Sequence, residues 1–150
     1  AARWAPSSKN SQPWRFLAGK RGDKNFAAFV STLTGFNLEW APNASAMILV
    51  ASYGNPVTND EIFDAGLAVS SMTFQIHSLG LHAHQMAGFS KSKLKTLFNL
   101  DEYIVPLVLV AVGKITKPDE LSDELKESVL KFGVKIKYSF ERFGIPIQRF

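Results

Sequence analysis

The 150-residue chain has no cysteine. That excludes disulfides, thiolate metal ligation and a cysteine nucleophile, and it suits a reducing compartment. No uninterrupted membrane-type run is present either. Ser70, Ser71, Thr73, Gln75, His77 and Ser78 break the most apolar segment before it supplies the roughly 20 apolar residues that a span needs. The chain does not open with a basic stretch followed by an apolar one, so no secretory signal is visible. A cytoplasmic protein is expected, with the sequon Asn43-Ala44-Ser45 idle.

Signature motifs are missing as well. G-x-S-x-G, G-x-x-x-x-G-K and G-x-G-x-x-G do not occur, so α/β-hydrolase, phosphate-loop and dinucleotide-fold readings have no support. The net charge of +4 has no block of like charge behind it, because the lysines are scattered through "GKRGDK" (19–24), "SKSKLK" (90–95) and "KFGVKIK" (131–137). Such scatter fits solvated faces, and beyond them a small phosphate-bearing ligand better than nucleic acid. His77, His82 and His84 lie in a stretch from Ala65 to Ser90 that contains no Asp, Glu, Lys or Arg. Without an acidic or thiolate co-ligand there, no metal is expected. Ser90-x-x-Lys93 reads as a helix cap ahead of a lysine face. Asp60 and Glu61 read as acids placed at a helix N-terminus.

What is present is a hydrophobic content of 46%, enough for the core of one domain over 1–150. "WRFLAG" (14–19) alternates and is short, which predicts a strand, while "SAMILVAS" (45–52) and "VPLVLVAVG" (105–113) are buried-type strands, with Pro106 near the start of the latter. Helical spacing marks 23–34 through Phe26, Phe29, Val30 and Leu33. Further helices are expected over about 60–81, 90–98 and 118–131, and "AARWA" reads as the tail of another. The helix after Asp60 carries apolar groups on nearly every side: Leu67, Ala68, Val69, Met72, Phe74, Ile76 and Leu79. A helix apolar all round is buried all round. A second subunit is the economical cover, and a two-fold dimer its commonest form. The tail "KIKYSFERFGIPIQRF" (135–150) is rich in aromatic and β-branched residues, which favours an arm that wraps apolar surface over a disordered end.

Two stretches remain. "APSSKNSQPW" (5–14) is bounded by Pro6 and Pro13, which block helix, and it presents Ser7, Ser8, Asn10 and Gln12. "GLHAHQMAGF" (80–89) reads as a glycine-bounded turn in which Gly88 permits close backbone approach. Short polar groups of this kind suit a flat heteroaromatic edge or a ribityl chain, and equally a turn satisfied by local caps.

P-S-S-x-N-x-Q-P-W, G-L-H-x-H-Q-M-x-G-F and a strand ending "VAVGK" together resemble the FMN-dependent nitroreductase family, over residue 1 to about 115. The resemblance implies an α+β fold with a central mixed β-sheet flanked by helices, in an intertwined homodimer with residues 132–150 on the partner. It implies FMN as cofactor, NAD(P)H as electron donor, and a nitroaromatic, quinone or similar small molecule as acceptor. No side chain is implied as acid or base, and neither nucleic acid nor membrane as partner. Pro6, Ser7, Ser8 and Asn10 would touch the flavin held mainly by the other subunit, with Gln12 and Trp14 positioning that loop. Gln85, Met86, Ala87 and Gly88 would form the turn along the ring, offering a backbone N–H to its N5. Asn37 matches the family's asparagine on the pyrimidine side. The match starts beyond the family's arginine- and serine-bearing N-terminal segment. Where the family tends to place arginines for the phosphate, this chain has Lys131, Lys135 and Lys137, of which Lys131 is the candidate. The alternative is a cofactor-poor homodimer of the same fold that acts as a binding protein.

Overall fold

The aliphatic runs of the sequence become the centre of a four-stranded sheet in the order β1-β2-β4-β3. In a computed structural model of the chain, residues 1–54 and 56–115 are described, together with Asp123, Lys126 and Glu127. The strands are β1 (Trp14–Lys20), β2 (Ala46–Tyr53), β3 (His82–Met86) and β4 (Ile104–Gly113). The helices are α1 (Lys24–Thr32), α2 (Asn37–Trp40), α3 (Asn59–Ser78) and α4 (Lys91–Leu97). "AARWA" forms a single 3-10 turn, Ala2–Trp4. The chain divides into two units, Ala1–Ile115 and Thr116–Phe150. In the second, Asp123, Lys126 and Glu127 are helical, and Lys126 Nζ lies 3.4 Å from Asp123 Oδ1. The rest of the helix expected over 118–131, the arm 132–150 and Lys131, Lys135 and Lys137 fall outside the described residues.

The mixed sheet expected from the resemblance is, among the described residues, antiparallel at every pairing. Long apolar runs in β2 and β4 therefore reflect burial on both faces, which helices on either side of an antiparallel sheet supply as well as a parallel arrangement does. On one face, Phe26, Phe29 and Leu33 from α1 and its end, with Leu94 of α4, pack on Met47, Leu49, Leu109 and Ala111. On the other, Ile76, Val69 and Met72 of α3 meet Val50, Val110 and Val112. The β2–β4 register shifts between Val50 and Ala51, so that Val50 faces Val108, Ala51 faces Pro106 and Leu107 is the extra residue. A bulge is one of the few places where a sheet admits proline.

Local chemistry sets the ends of the elements. Asp23 caps α1 by accepting from the Phe26 and Lys20 N–H groups at 2.8 Å each. Those backbone donors hold its carboxyl below the usual aspartate range. Thr58 and Glu61 form a reciprocal capping box on α3. At the far end the Gly80 N–H donates to His77 O at 2.9 Å and the Leu81 N–H to Ile76 O at 3.1 Å, with Gly80 at φ 72°. This is a Schellman stop, and it ends α3 at Ser78 rather than near Leu81 as the periodicity suggested.

α1 also lies close against β1. A Cβ at Gly19 would stand 2.5 Å from the backbone nitrogen of Phe26, so Gly19→Ala must displace the helix. Forced overpacking typically costs about 1–3 kcal/mol. A lower urea midpoint with unchanged slope is the expected result, and an unchanged midpoint would mean that α1 sits more loosely than described.

Candidate functional site

The loop after the first turn is held at both ends and in its middle. At its C-terminal end Pro13 O accepts from the Tyr53 N–H at 2.8 Å. Trp14, the first residue of β1, is buried. Arg15 Nη1 donates to Gln12 O at 3.2 Å and to Trp14 O at 2.9 Å. Its guanidinium lies 5.1 Å from the centre of the Tyr53 ring, which stacks in turn on Tyr103. Inside the loop, Ser7 Oγ accepts from the Gln12 N–H at 3.1 Å, and Gln12 Nε2 donates to Asn10 Oδ1 at 3.0 Å. The Ser8 N–H reaches 56 positions along the chain to donate to Asp64 Oδ2 at 2.9 Å. Pro6, Ser7 and Ser8 line a cleft of about 380 Å³ against Asp60, Phe63, Asp64 and Leu67 on the first turns of α3.

This loop is conformationally costly. Lys9, Asn10 and Gln12 have φ of 51°, 56° and 48°. Asparagine tolerates that left-handed region, but lysine and glutamine seldom adopt it, and unfavourable backbone of this kind persists only where the surroundings impose it. Ser7 and Gln12 are engaged within the loop, whereas no hydrogen bond among the described residues uses Ser8 Oγ or Asn10 Nδ2.

The second candidate stretch is not a turn over its whole length. Its middle, His82–Met86, is the edge strand β3, paired with β4 from His82 opposite Gly113 to Met86 opposite Leu109. Alternation along the strand separates its side chains. Met86 is buried in the core beside Phe89, so only its backbone is left at the turn. Gln85 points to the other face, where its Nε2 donates to Thr73 Oγ1 on α3 at 2.9 Å. Ala87 and Gly88 make the true turn. Gly88 O accepts from the Thr34 N–H at 3.0 Å and from Asn37 Nδ2 at 3.1 Å. A Cβ at Gly88 would stand 2.6 Å from Asn37 Nδ2, so the glycine is required by the asparagine packed on it. Among the described residues no turn or loop hydrogen bond uses the Ala87 or Gly88 N–H, so two adjacent donors stand at the end of β3.

The predicted residues thus fall into two clusters. Pro6, Ser7, Ser8, Asn10 and Gln12 sit with the start of α3, while Asn37, Ala87 and Gly88 sit beyond the end of β3, and Gln85 bonds to Thr73 farther along α3. Asp64 and Thr73 are nine positions apart, about 14 Å along the helix. No hydrogen bond among the described residues joins the two clusters. The histidines serve as ring partners: His77 meets His82 edge-on at 4.9 Å, and Trp40 meets His84 at 4.8 Å. Two residues were not anticipated from the sequence, Asp64 and Arg15. Asp64 carried one signal, as the last charge before the uncharged stretch.

The sequence pattern of the nitroreductase family matches residues 19–114. The chain belongs to the nitroreductase family. A family relative, the uncharacterized 15.4 kDa protein in ask 5′ region from Mycolicibacterium smegmatis, is 33% identical over 112 residues, covering 67% of this chain and 75% of its own. Among solved structures, an oxidoreductase containing FMN shares 34% identity with a TM-score of 0.78, over 85% of this chain and 69% of that one. A proposed nitroreductase in complex with FMN from Desulfovibrio desulfuricans shares 25% identity with a TM-score of 0.69, over 77% of this chain and 69% of that one. Among the described residues of this family member, no helix is long and apolar enough to cross a membrane.

Proposed function

We propose that the chain is an FMN-dependent oxidoreductase that works as a homodimer, carrying electrons from NAD(P)H to a nitroaromatic, quinone or similar small-molecule acceptor. Family membership and the FMN-containing structural relatives support this reading. The observation that carries it is the loop 6–12: a costly backbone, tethered by hydrogen bonds, that leaves Ser8 Oγ and Asn10 Nδ2 without a partner among the described residues. A turn built only for its own stability has no reason to hold three left-handed residues and leave its donors outward.

The residues present fit FMN. Ser8 and Asn10 offer hydrogen bonds to a heteroaromatic rim, and the Ala87 and Gly88 N–H groups offer two donors where an electron-rich ring nitrogen and carbonyl could lie. Asn37 holds that backbone in place through Gly88 O. Hydride acceptance from NAD(P)H and electron delivery to the acceptor are the chemistry that FMN supplies when bound. The chain's part is to orient the ring, donate hydrogen bonds to it and shield it from water. No side-chain acid or base is needed.

Separation of the two clusters within one chain fits a site completed by a second copy. So does the outer face of α3, where Phe63, Gly66, Ser70, Phe74 and His77 are all exposed at helical spacing. Two phenylalanines bracket small residues there, a surface that a second helix can approach closely.

Visible absorbance of the purified protein, with FMN titrated into it, tests the reading. Flavin bands or saturable binding near one FMN per subunit are expected, and Ser8→Ala with Asn10→Ala should weaken that binding about tenfold or more. A colourless dimer that ignores FMN would favour the binding-protein alternative.

A further inference from the structure

Asp64 is the buried acid among the described residues, 4% exposed in the second turn of α3. A buried carboxylate is expensive without partners. Among the described residues, no basic side chain forms an ion pair with it, and its one hydrogen bond comes from the Ser8 N–H. From these facts we infer that Asp64 is a positioning residue: its carboxylate clamps the backbone of Ser8, so that the left-handed residues Lys9 and Asn10 are held in the one conformation that presents Ser8 and Asn10 to the cofactor. The inference rests on the proposed flavin site for its purpose, but the clamp itself can be tested without flavin.

Placement supports the assignment. The two tethers, Asp64 on Ser8 N and Arg15 on Gln12 O, enclose Lys9 to Gln12, the whole left-handed segment. A bond from a backbone N–H to a charged acceptor is stronger than a neutral one. It is thus suited to opposing the local preference of Lys9 and Asn10 for ordinary backbone. The cap chemistry of α3 does not explain Asp64, since Thr58 and Glu61 already form the capping box.

The test uses both ends of the bond. Asp64→Leu removes the acceptor and Asp64→Asn keeps a neutral one. Ser8→Pro removes the donor and leaves Asp64 untouched. The backbone tolerates it, because Ser8 is the first residue of a 3-10 turn and Ser7 before it is extended at φ −145°, ψ 153°. Ser8→Ala controls for the lost hydroxyl. Two quantities are read on dimers of native circular dichroism: the rate of tryptic cleavage between Lys9 and Asn10, and FMN affinity by quenching of flavin fluorescence.

Asp64→Leu and Ser8→Pro should each speed that cleavage about tenfold or more, and weaken FMN by a similar factor. Asp64→Asn should recover most of both, and Ser8→Ala should leave cleavage unchanged. Wild-type cleavage rates in Asp64→Leu and Ser8→Pro would overturn the clamp. If Asp64→Leu does not fold, Ser8→Pro decides alone. Faster cleavage in a protein that never binds FMN would uphold the clamp and defeat the flavin reading, so the two failures are separable.

Discussion

Phe29→Ala is expected to lower stability by about 3–5 kcal/mol, the usual cost of emptying a fully enclosed aromatic site. Phe29 has no exposed surface, and its ring meets that of Phe98 at 5.0 Å. It stands where α1, the end of α4 and the sheet converge on Met47, Leu49 and Leu109. These side chains are anchored in α1, the end of α4, β2 and β4, so the space cannot close by moving one element. In a unit of this size the loss corresponds to a fall in Tm of about 10–20 °C. Urea unfolding followed by circular dichroism measures it directly, and a change in midpoint with the slope retained marks a true loss of stability. A cost under about 1 kcal/mol would mean that the site is far less tightly packed than described.

Phe74→Asp should do the opposite: leave the fold and remove the partner. Phe74 is 74% exposed on α3. Changing an exposed side chain away from caps and strained backbone typically moves chain stability by no more than about 0.5 kcal/mol. If the outer face of α3 is the subunit contact, however, the aspartate would be buried against apolar surface. Central aromatic positions of interfaces typically carry about 2–4 kcal/mol. Dimer affinity should therefore fall by about a hundredfold, giving monomers by sedimentation at micromolar concentration. FMN affinity should fall with it, because each site would lose the partner's loop. A native-like dimer in Phe74→Asp would put the contact elsewhere, whatever the fate of flavin binding. Phe29 and Phe74 are indistinguishable as residue types, and only their surroundings assign them opposite roles.

Much of the architecture was legible in local pattern. β2 and β4 were evident as continuous aliphatic runs, and α1 through Phe26, Phe29 and Leu33 at helical spacing. The cap of α4 at Ser90 was also visible, where Ser90 Oγ accepts from the Lys93 N–H at 3.3 Å. Each of these signals lies within a few residues of its consequence. β3 was not legible, because "HAHQM" has no run of β-branched residues and makes a strand only by pairing along β4. The antiparallel direction of the sheet was hidden for a related reason: burial on both faces looks the same in sequence whichever way neighbouring strands run.

The site divides along the same line. Composition, the two proline-bounded and glycine-bounded motifs and their order determined the family resemblance and nominated the polar residues of the opening loop. Tertiary structure alone decided what each of those residues does. It turned Met86 into the core and Gln85 toward Thr73, and set Asn37 on Gly88. It also brought Asp64 to the Ser8 backbone across 56 positions. The physical reason is range. Turn formers, caps and apolar periodicity act between near neighbours, whereas a buried carboxylate finds its partner only when helix and loop pack together.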